Sequence, residues 1–244
     1  TGRVDMQLAD LGALSFALSH RSIGFGSIDQ RVNERAREAI TQVDFSTSLE
    51  LGKLLPKAVG ISIPMYASIS SLTKTPQFDP FDLDIKLKDK LKSAPSNKRD
   101  SIRNVAIEKE TTSTLNFTNV RKQPKAGKKI FPWSISNFDI TYSYIKQSRH
   151  SPIVESDEVI RHRGVLGYNY TGQPKYIEPF KKLIKTKTHW LDLIKDFNFN
   201  LVPSLATVRV DINRQFGRFI PRDITTYDKV KVDTTYDKYF NFDR

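Results

Sequence analysis

No cysteine occurs among the 244 residues, which excludes a disulfide framework and any thiolate zinc site. Long apolar runs are missing too: the longest wholly apolar stretches span only a few residues, so the sequence writes no transmembrane helix. That absence leaves a β-barrel open, because barrel strands hide their apolar face in alternation and keep average hydropathy low. The mean hydropathy of -0.45 fits a soluble protein or a barrel. The marks of bond chemistry are absent as well. His20, His150, His162 and His189 are scattered, with no His-Glu-x-x-His pairing that would hold a metal. Asp79, Asp82, Asp84 and Asp89 lack EF-hand spacing and a loop glycine. Gly24 and Gly26 lack the third glycine and the βαβ setting of a dinucleotide fingerprint. No nucleophile elbow gives the serines and aspartates a triad context. The expectation is a protein that is not an enzyme, with no catalytic, cofactor-binding or metal-binding residue.

The chain instead carries alternation. Val43, Phe45, Leu49 and Leu51 alternate with Asp44, Ser46, Ser48 and Glu50, the period-2 signature of a strand with one apolar and one polar face. Beyond the turn Gly52–Gly60, Ile61, Ile63, Met65, Ala67 and Ile69 alternate with Ser62, Pro64, Tyr66, Ser68 and Ser70. These runs predict a long hairpin from Val43 to Thr73 with arms of about 9 to 11 residues, the length a tilted strand needs to cross a bilayer. Pro64 is its exception, since proline removes a ladder donor, and the expectation there is a bulge.

Elsewhere, Val4, Met6 and Leu8 take one phase and Leu14, Phe16 and Leu18 another, with Gly12 marking a bulge or bend. Ser27 with Gln30 forms a capping-box pattern, and Val32, Ala36 and Ile40 follow at helical spacing, predicting a short charged helix. The stretch 75–110 reads as a long loop with helices at Asp84–Lys92 and Lys98–Lys109. Strand character returns at Thr111–Val120, with Ser113, Leu115, Phe117 and Asn119 on one face. Further strands follow at Phe138–Tyr144 and Val159–Tyr170, with a polar loop Ser148–Asp157 between them. An amphipathic connection is expected at 175–196, strand on both sides of Pro203, and a weakly alternating tail. About seven or eight strands result, joined by alternating short basic turns and long polar connections. The fold class read from this is all-β: an antiparallel transmembrane β-barrel pattern with short helices in long loops.

The formal net charge of +12 raises anionic lipid, lipopolysaccharide and nucleic acid as partners. The basic turn Arg121–Lys129 lacks the interleaved aromatics of a nucleic-acid surface. Phe131 and Trp133, which follow it, and Tyr144 are candidates for a membrane-interface girdle, and nucleic acid is not expected as a partner. A soluble secreted β-sandwich acting as an adhesin or glycan-binding module stays open as the alternative; it would pack two apolar strand faces together.

Several runs resemble a known family. They are Gly24-Phe25-Gly26-Ser27-Ile28-Asp29-Gln30-Arg31-Val32-Asn33-Glu34-Arg35, Leu54-Leu55-Pro56-Lys57 with Ile63-Pro64-Met65-Tyr66-Ala67-Ser68, and Asn116-Phe117-Thr118-Asn119-Val120-Arg121-Lys122. Leu193-Ile194-Lys195-Asp196-Phe197-Asn198-Phe199-Asn200 with Pro203-Ser204, and Asn213-Arg214-Gln215-Phe216, complete the set. They are similar to the SprA family, also called Sov, whose members are cell-surface gliding-motility proteins that form the outer-membrane translocon of type IX secretion. The resemblance implies that the chain is an antiparallel arc of a very large transmembrane β-barrel in the bacterial outer membrane, with a lumen that passes folded secreted proteins to the cell surface. It also implies partners: a PorV-type barrel protein, a plug protein, a peptidyl-prolyl isomerase and outer-membrane lipid. The chain is then expected to be an internal piece of a longer protein, with its targeting signal outside the window. Asp44, Ser46, Ser48 and Glu50 become the lumen-facing candidates. Loops 24–41, 75–110 and 148–157 would be extracellular, and the turns at 52–60 and 121–130 and the 175–196 connection periplasmic.

Overall fold

The structure is a computed structural model that describes residues 1–25, 36–56, 58–124, 127, 130–172, 176–179, 196–200, 203–222 and 233–243. The alternating runs become strands. In chain order these are β1 (Gly2–Leu8), β2 (Gly12–Phe25), β3 (Ala36–Glu50), β4 (Ile61–Ser62), β5 (Pro64–Pro76), β6 (Phe78–Asp79) and β7 (Asp82–Lys86). After two helices, α1 (Leu87–Ser93) and α2 (Ser96–Ala106), come β8 (Glu108–Lys122), β9 (Phe138–His150), β10 (Val154–Thr171), β11 (Tyr176–Ile177), β12 (Phe199–Asn200), β13 (Leu205–Pro221) and β14 (Thr235–Asp243). One antiparallel sheet of ten strands dominates, in the order β1, β2, β3, β5, β8, β9, β10, β13, β14, with β4 prolonging β5 along β8. β6 pairs with β7 and β11 with β12. The sheet is open, and among the described residues β1 and β14 each have one neighbour. The ten strands exceed the expected seven or eight, because β1 and β2 separate at a tight turn and the weakly alternating tail forms β14.

Gly12 sits where that turn meets β3. A Cβ on it would lie 1.9 Å from the Ser48 carbonyl oxygen, so only glycine lets the β1–β2 corner approach the neighbouring strand. The central hairpin is present with longer arms than expected: β3 has 15 residues and β5 has 13.

Three expectations need correction. Ala36 and Ile40 lie in β3, not in a helix, because Ile40 pairs with Arg21 on one side and Lys74 on the other; cross-strand pairing outweighs local spacing. The rest of that predicted helix, 26–35, lies outside the described residues. Asp84 to Lys86 and Lys109 belong to β7 and β8, so α1 and α2 are shorter than the helices predicted there. The polar loop Ser148–Asp157 is a tight turn of three residues closed by hydrogen bonds between Ser151 and Val154, and the strands extend to either side of it. The amphipathic connection 175–196 falls almost wholly outside the described residues, though Tyr176–Ile177 is strand.

The bulge expected at Pro64 is in the facing strand. Between the pairs Ser62↔Arg121 and Met65↔Phe117, β8 holds one residue more than the β4–β5 arm. It also holds one more than β9 between Phe117↔Tyr142 and Val120↔Ile140. The extra residue lies at Thr118–Asn119, where Asn119 adopts φ +54 and donates its N–H to the Thr141 hydroxyl at 3.0 Å. The shift removes Asn119 from the predicted face and puts Val120 opposite Ile140. It also breaks the ladder beside Pro64, the one residue there without an N–H to give. Asn119→Val is expected to cost about 1–3 kcal/mol, because a β-branched residue is a poor fit to positive φ, while Asn119→Gly should be close to neutral. The urea midpoint of the refolded full-length protein checks this; an unshifted midpoint for the valine variant would show that the bulge tolerates any residue.

Candidate functional site

Because pleated residues alternate in direction and antiparallel partners share a face, the register divides the whole sheet into two surfaces. One carries Asp44, Ser46, Ser48 and Glu50 of β3 with their partners Ser70, Ser68, Tyr66 and Pro64 of β5. Across β8 to β14 the same face continues through Thr112, Thr114 and Asn116, then Ser143 and Asp139, then Arg161 and Arg163, then Asp211 and Gln215, and ends on Asp237 and Asn241.

The polar groups of this face bond to one another in the plane of the sheet. Asp44 accepts from the Gln42 amide at 2.9 Å and from the Ser70 hydroxyl. Glu50 accepts from the Ile63 backbone N–H at 2.6 Å and from the Ser62 hydroxyl at 3.2 Å, so it pins the Gly52–Gly60 turn to β4. Further along, Ser143 donates to Asn116 at 2.6 Å and Asn169 to Asp139 at 3.0 Å. Arg163 straddles both oxygens of Asp211 at 3.1 Å, while Gln215 receives the Arg161 guanidinium at 2.8 Å and itself donates to Asp237 at 3.0 Å. Ser46 and Ser48 have small hydroxyl side chains between these groups. The wall is hydrophilic, but many of its charges already have partners.

The opposite face is apolar and uncovered. Val4, Met6, Leu14, Phe16, Leu18, Val43, Phe45, Leu49, Met65, Ala67 and Ile69 share it through β5, followed by Leu115, Phe117, Ile140, Tyr142, Tyr144, Leu166, Val208 and Ile212. Phe45 is 40% exposed, Ile140 54% and Val208 57%. Substantial contacts between strands run only between hydrogen-bonded neighbours, so among the described residues no second sheet packs on this one. The two-layer core of a sandwich is therefore not built from these strands.

The apolar band ends at a margin that crosses the hydrogen-bond rows obliquely. On the side of α1 and α2 its last members are Leu18 and Val43, a cross-strand pair, then Ile69 one row lower, Leu115 and Tyr144 one row lower again, and Leu166 lower still. His20, Thr41, Ser71, Ser113 and Lys146 lie just past it, and Ile160, Phe216 and Tyr236, the two rings 6.1 Å apart, form a small apolar group outside the band. The aromatic candidates occupy the two margins. Phe131 and Trp133 stack with centroids 5.2 Å apart at the end nearer the Gly52–Gly60 turn, and Trp133 is 76% exposed. Tyr144 stands at the other margin, its ring 5.1 Å from that of His162, which also bonds the Tyr142 hydroxyl at 2.9 Å.

Sequence reasoning missed three groupings. His162 joins Tyr142 and Tyr144; Arg163 meets Asp211; and Asp79, weighed only as a calcium ligand, is buried and paired with Lys90. Each depends on strand register or on the fold of 77–107, which no local pattern displays. Among the described residues no group of three His, Asp or Glu is placed to hold a metal ion. Nor is any described helix long and apolar enough to cross a membrane, which leaves crossing by strands untouched.

No curated protein matches the chain. Residues 1–91, which hold β1 to β7 and the start of α1, match the family model SprA_N, described as a motility related/secretion protein. They include the first two of the runs that carry the resemblance. Over this region the chain is similar to the SprA family of motility-related secretion proteins.

Proposed function

We propose that this chain is part of the wall of an outer-membrane protein-conducting channel that exports folded proteins to the cell surface. The observation that carries the reading is the uncovered apolar face, which spans strands from β1 to β13 on a sheet whose other face is mainly polar. A soluble monomer rarely exposes a contiguous apolar patch beyond a few hundred Å², whereas lipid covers such a face in a barrel. The oblique margin of the band supports the same reading, because closing a sheet into a barrel tilts the strands and staggers their register. In this reading Phe131 and Trp133 meet one membrane interface and Tyr144 the other, where amphipathic rings settle.

The mechanism is passive. Asp44, Ser46, Ser48 and Glu50 face the lumen with the rest of the polar wall. Because Asp44, Glu50 and Asp211 already accept bonds from neighbours in the sheet, the wall holds water and offers a passing protein few free charges to grip. Nothing in this requires a bond to be made or broken. Secreted protein substrates are the cargo, and a PorV-type barrel protein, a plug protein and a peptidyl-prolyl isomerase are the partners that the family resemblance implies. The loops 24–41 and 75–110 would lie outside the cell and the turns 52–60 and 121–130 in the periplasm.

The cysteine-free sequence suits a direct test. Single cysteines placed from Gln42 to Leu49 in the full-length protein in outer-membrane vesicles are expected to label with a water-soluble maleimide at 42, 44, 46 and 48. Those at 43, 45, 47 and 49 should be protected in the folded protein and should label only after it is unfolded. Uniform labelling at both sets, or full solubility without detergent, would refute the membrane reading and favour a soluble module.

A further inference from the structure

Past the oblique margin, between α2 and the ends of β8 and β9, lies a cavity of about 940 Å³. Arg103 of α2, Lys109, His150 and Arg222 line it, with Asp100 and Glu155. Lys109 and His150 are cross-strand partners, and they stand on the face that carries Phe117 and Tyr144, beyond the apolar band. Three guanidinium or ammonium groups and an imidazole thus oppose two carboxylates, leaving the lining net positive. Lys109 and Arg222 both act electrostatically on His150.

The bonding inventory singles out this place. Three buried side-chain nitrogens among the described residues have no hydrogen-bond partner: His150 Nε2, Arg222 Nε and Arg218 Nε. The first two belong to the cavity lining, and Arg218 lies on the same face of β13, with its terminal nitrogen 3.2 Å from Glu158. Buried polar groups in folded proteins nearly always have partners, so unpaired nitrogens gathered at one place call for an explanation.

We propose that this cavity binds a phosphate group carried by a membrane lipid headgroup. A phosphate presents several acceptor oxygens and negative charge together, which suits a set of converging donors and cations better than any neutral ligand. The source is a lipid because of position. The cavity opens on the apolar side of the sheet, so acyl chains lying along Ile69, Leu115 and Tyr144 would bring a headgroup up to Lys109. This assignment rests on the barrel reading above.

The test uses the full-length protein purified in detergent and three probes: bisphosphorylated lipid A, the same lipid dephosphorylated, and inorganic phosphate. The phosphorylated lipid is expected to bind at least about tenfold more tightly than the dephosphorylated one. K109Q/R222Q should lose about tenfold or more of that preference, as removal of charge-assisted bonds predicts, and Arg222→Lys should keep most of it. Retained heat-modifiable gel migration reports folding, and His150→Ala serves if the double variant does not fold. Equal binding of the two lipids, or a preference that survives K109Q/R222Q, overturns the site. Displacement of the lipid by millimolar inorganic phosphate, with phosphate binding lost in the variant, assigns the cavity to a free anion and overturns the lipid source. A protein that stays soluble and monomeric without detergent overturns the barrel reading itself, which is a different result from a detergent-requiring protein with no preference for phosphate.

Discussion

Phe45→Arg in the full-length protein is expected to sharply reduce the folded, membrane-inserted form, whereas Ser46→Arg, one residue along, is expected to leave it nearly unchanged. Phe45 lies in the middle of the apolar band and is flanked on the same face by Phe16 of β2 and Ile69 of β5. An arginine on the lipid face near the bilayer midplane costs about 2–4 kcal/mol, and loss of the aromatic cross-strand contact adds up to about 1 kcal/mol. Against the 5–15 kcal/mol that typically separates a folded domain from its unfolded chain, that is a large fraction. Ser46 faces the other way, between Ser15 and Ser68, where a guanidinium stays in water. Heat-modifiable gel migration and protease protection of outer-membrane fractions measure the folded share. Equal losses in the two variants would mean that the two faces meet the same solvent, and the channel reading would fail.

The contrast between adjacent residues shows what was legible in the sequence. Alternation has the same period as the pleat, so Val43 to Glu50 disclosed both faces of β3 without any knowledge of its neighbours. For that reason the polar and apolar residues of β3 fall on opposite faces of the sheet, as the alternation predicts. Alternation carries no information about phase errors further along. The bulge at Thr118–Asn119 moves Asn119 off the expected face and could be inferred only loosely, from the proline in a strand that turned out to be its neighbour. Ala36 and Ile40 kept helical spacing with Val32, yet their partners in β2 and β5 hold them in a strand. The length of the sheet was hidden for the same reason: the turn 151–153 is so tight that its polar flanks read as loop while being paired strand.

Pairings that join distant segments were not legible at all. Arg163 and Asp211 meet because β10 and β13 are neighbours, and the segment between those strands can change length without altering that. Such pairings give the polar face its character. A ladder of serines reads from sequence simply as hydrophilic; register shows that the carboxylates among them are engaged by Gln42, Ser70, Ile63 and Arg163.

The second large effect concerns the segment 77–107, where Asp79→Ala is expected to release the helical cap without unfolding the sheet. Asp79 is 1% exposed, the most buried charged side chain described. Its carboxylate takes the Lys90 ammonium of α1 and the Phe81 backbone N–H, the latter at 3.2 Å. The same segment buries a small apolar set, Leu87, Ala106 and Ile107; one backbone bond, Gln77 N–H to the Arg37 carbonyl, ties its start to β3, and Leu87 N–H to the Gln77 carbonyl closes it on itself. So small a core has little stability in reserve. Removing the carboxylate leaves the Phe81 N–H without its acceptor and Lys90 without its partner; since Lys90 is already about one-third exposed, it can rehydrate, and the net loss is about 2–3 kcal/mol, below that for a fully buried pair. The open population of the cap then rises about thirtyfold or more, and tryptic cleavage at Lys88, Lys90 and Arg99 accelerates in proportion as long as closing outruns cleavage. Asp79→Asn keeps an acceptor for Phe81 and should fall between the two. Heat-modifiable migration of the full-length protein should be unchanged in both variants, because no strand of the ten-stranded sheet depends on Asp79. Unchanged cleavage would show that Leu87, Ala106 and Ile107 hold the cap unaided, and collapse of the sheet would show that the cap is part of the wall.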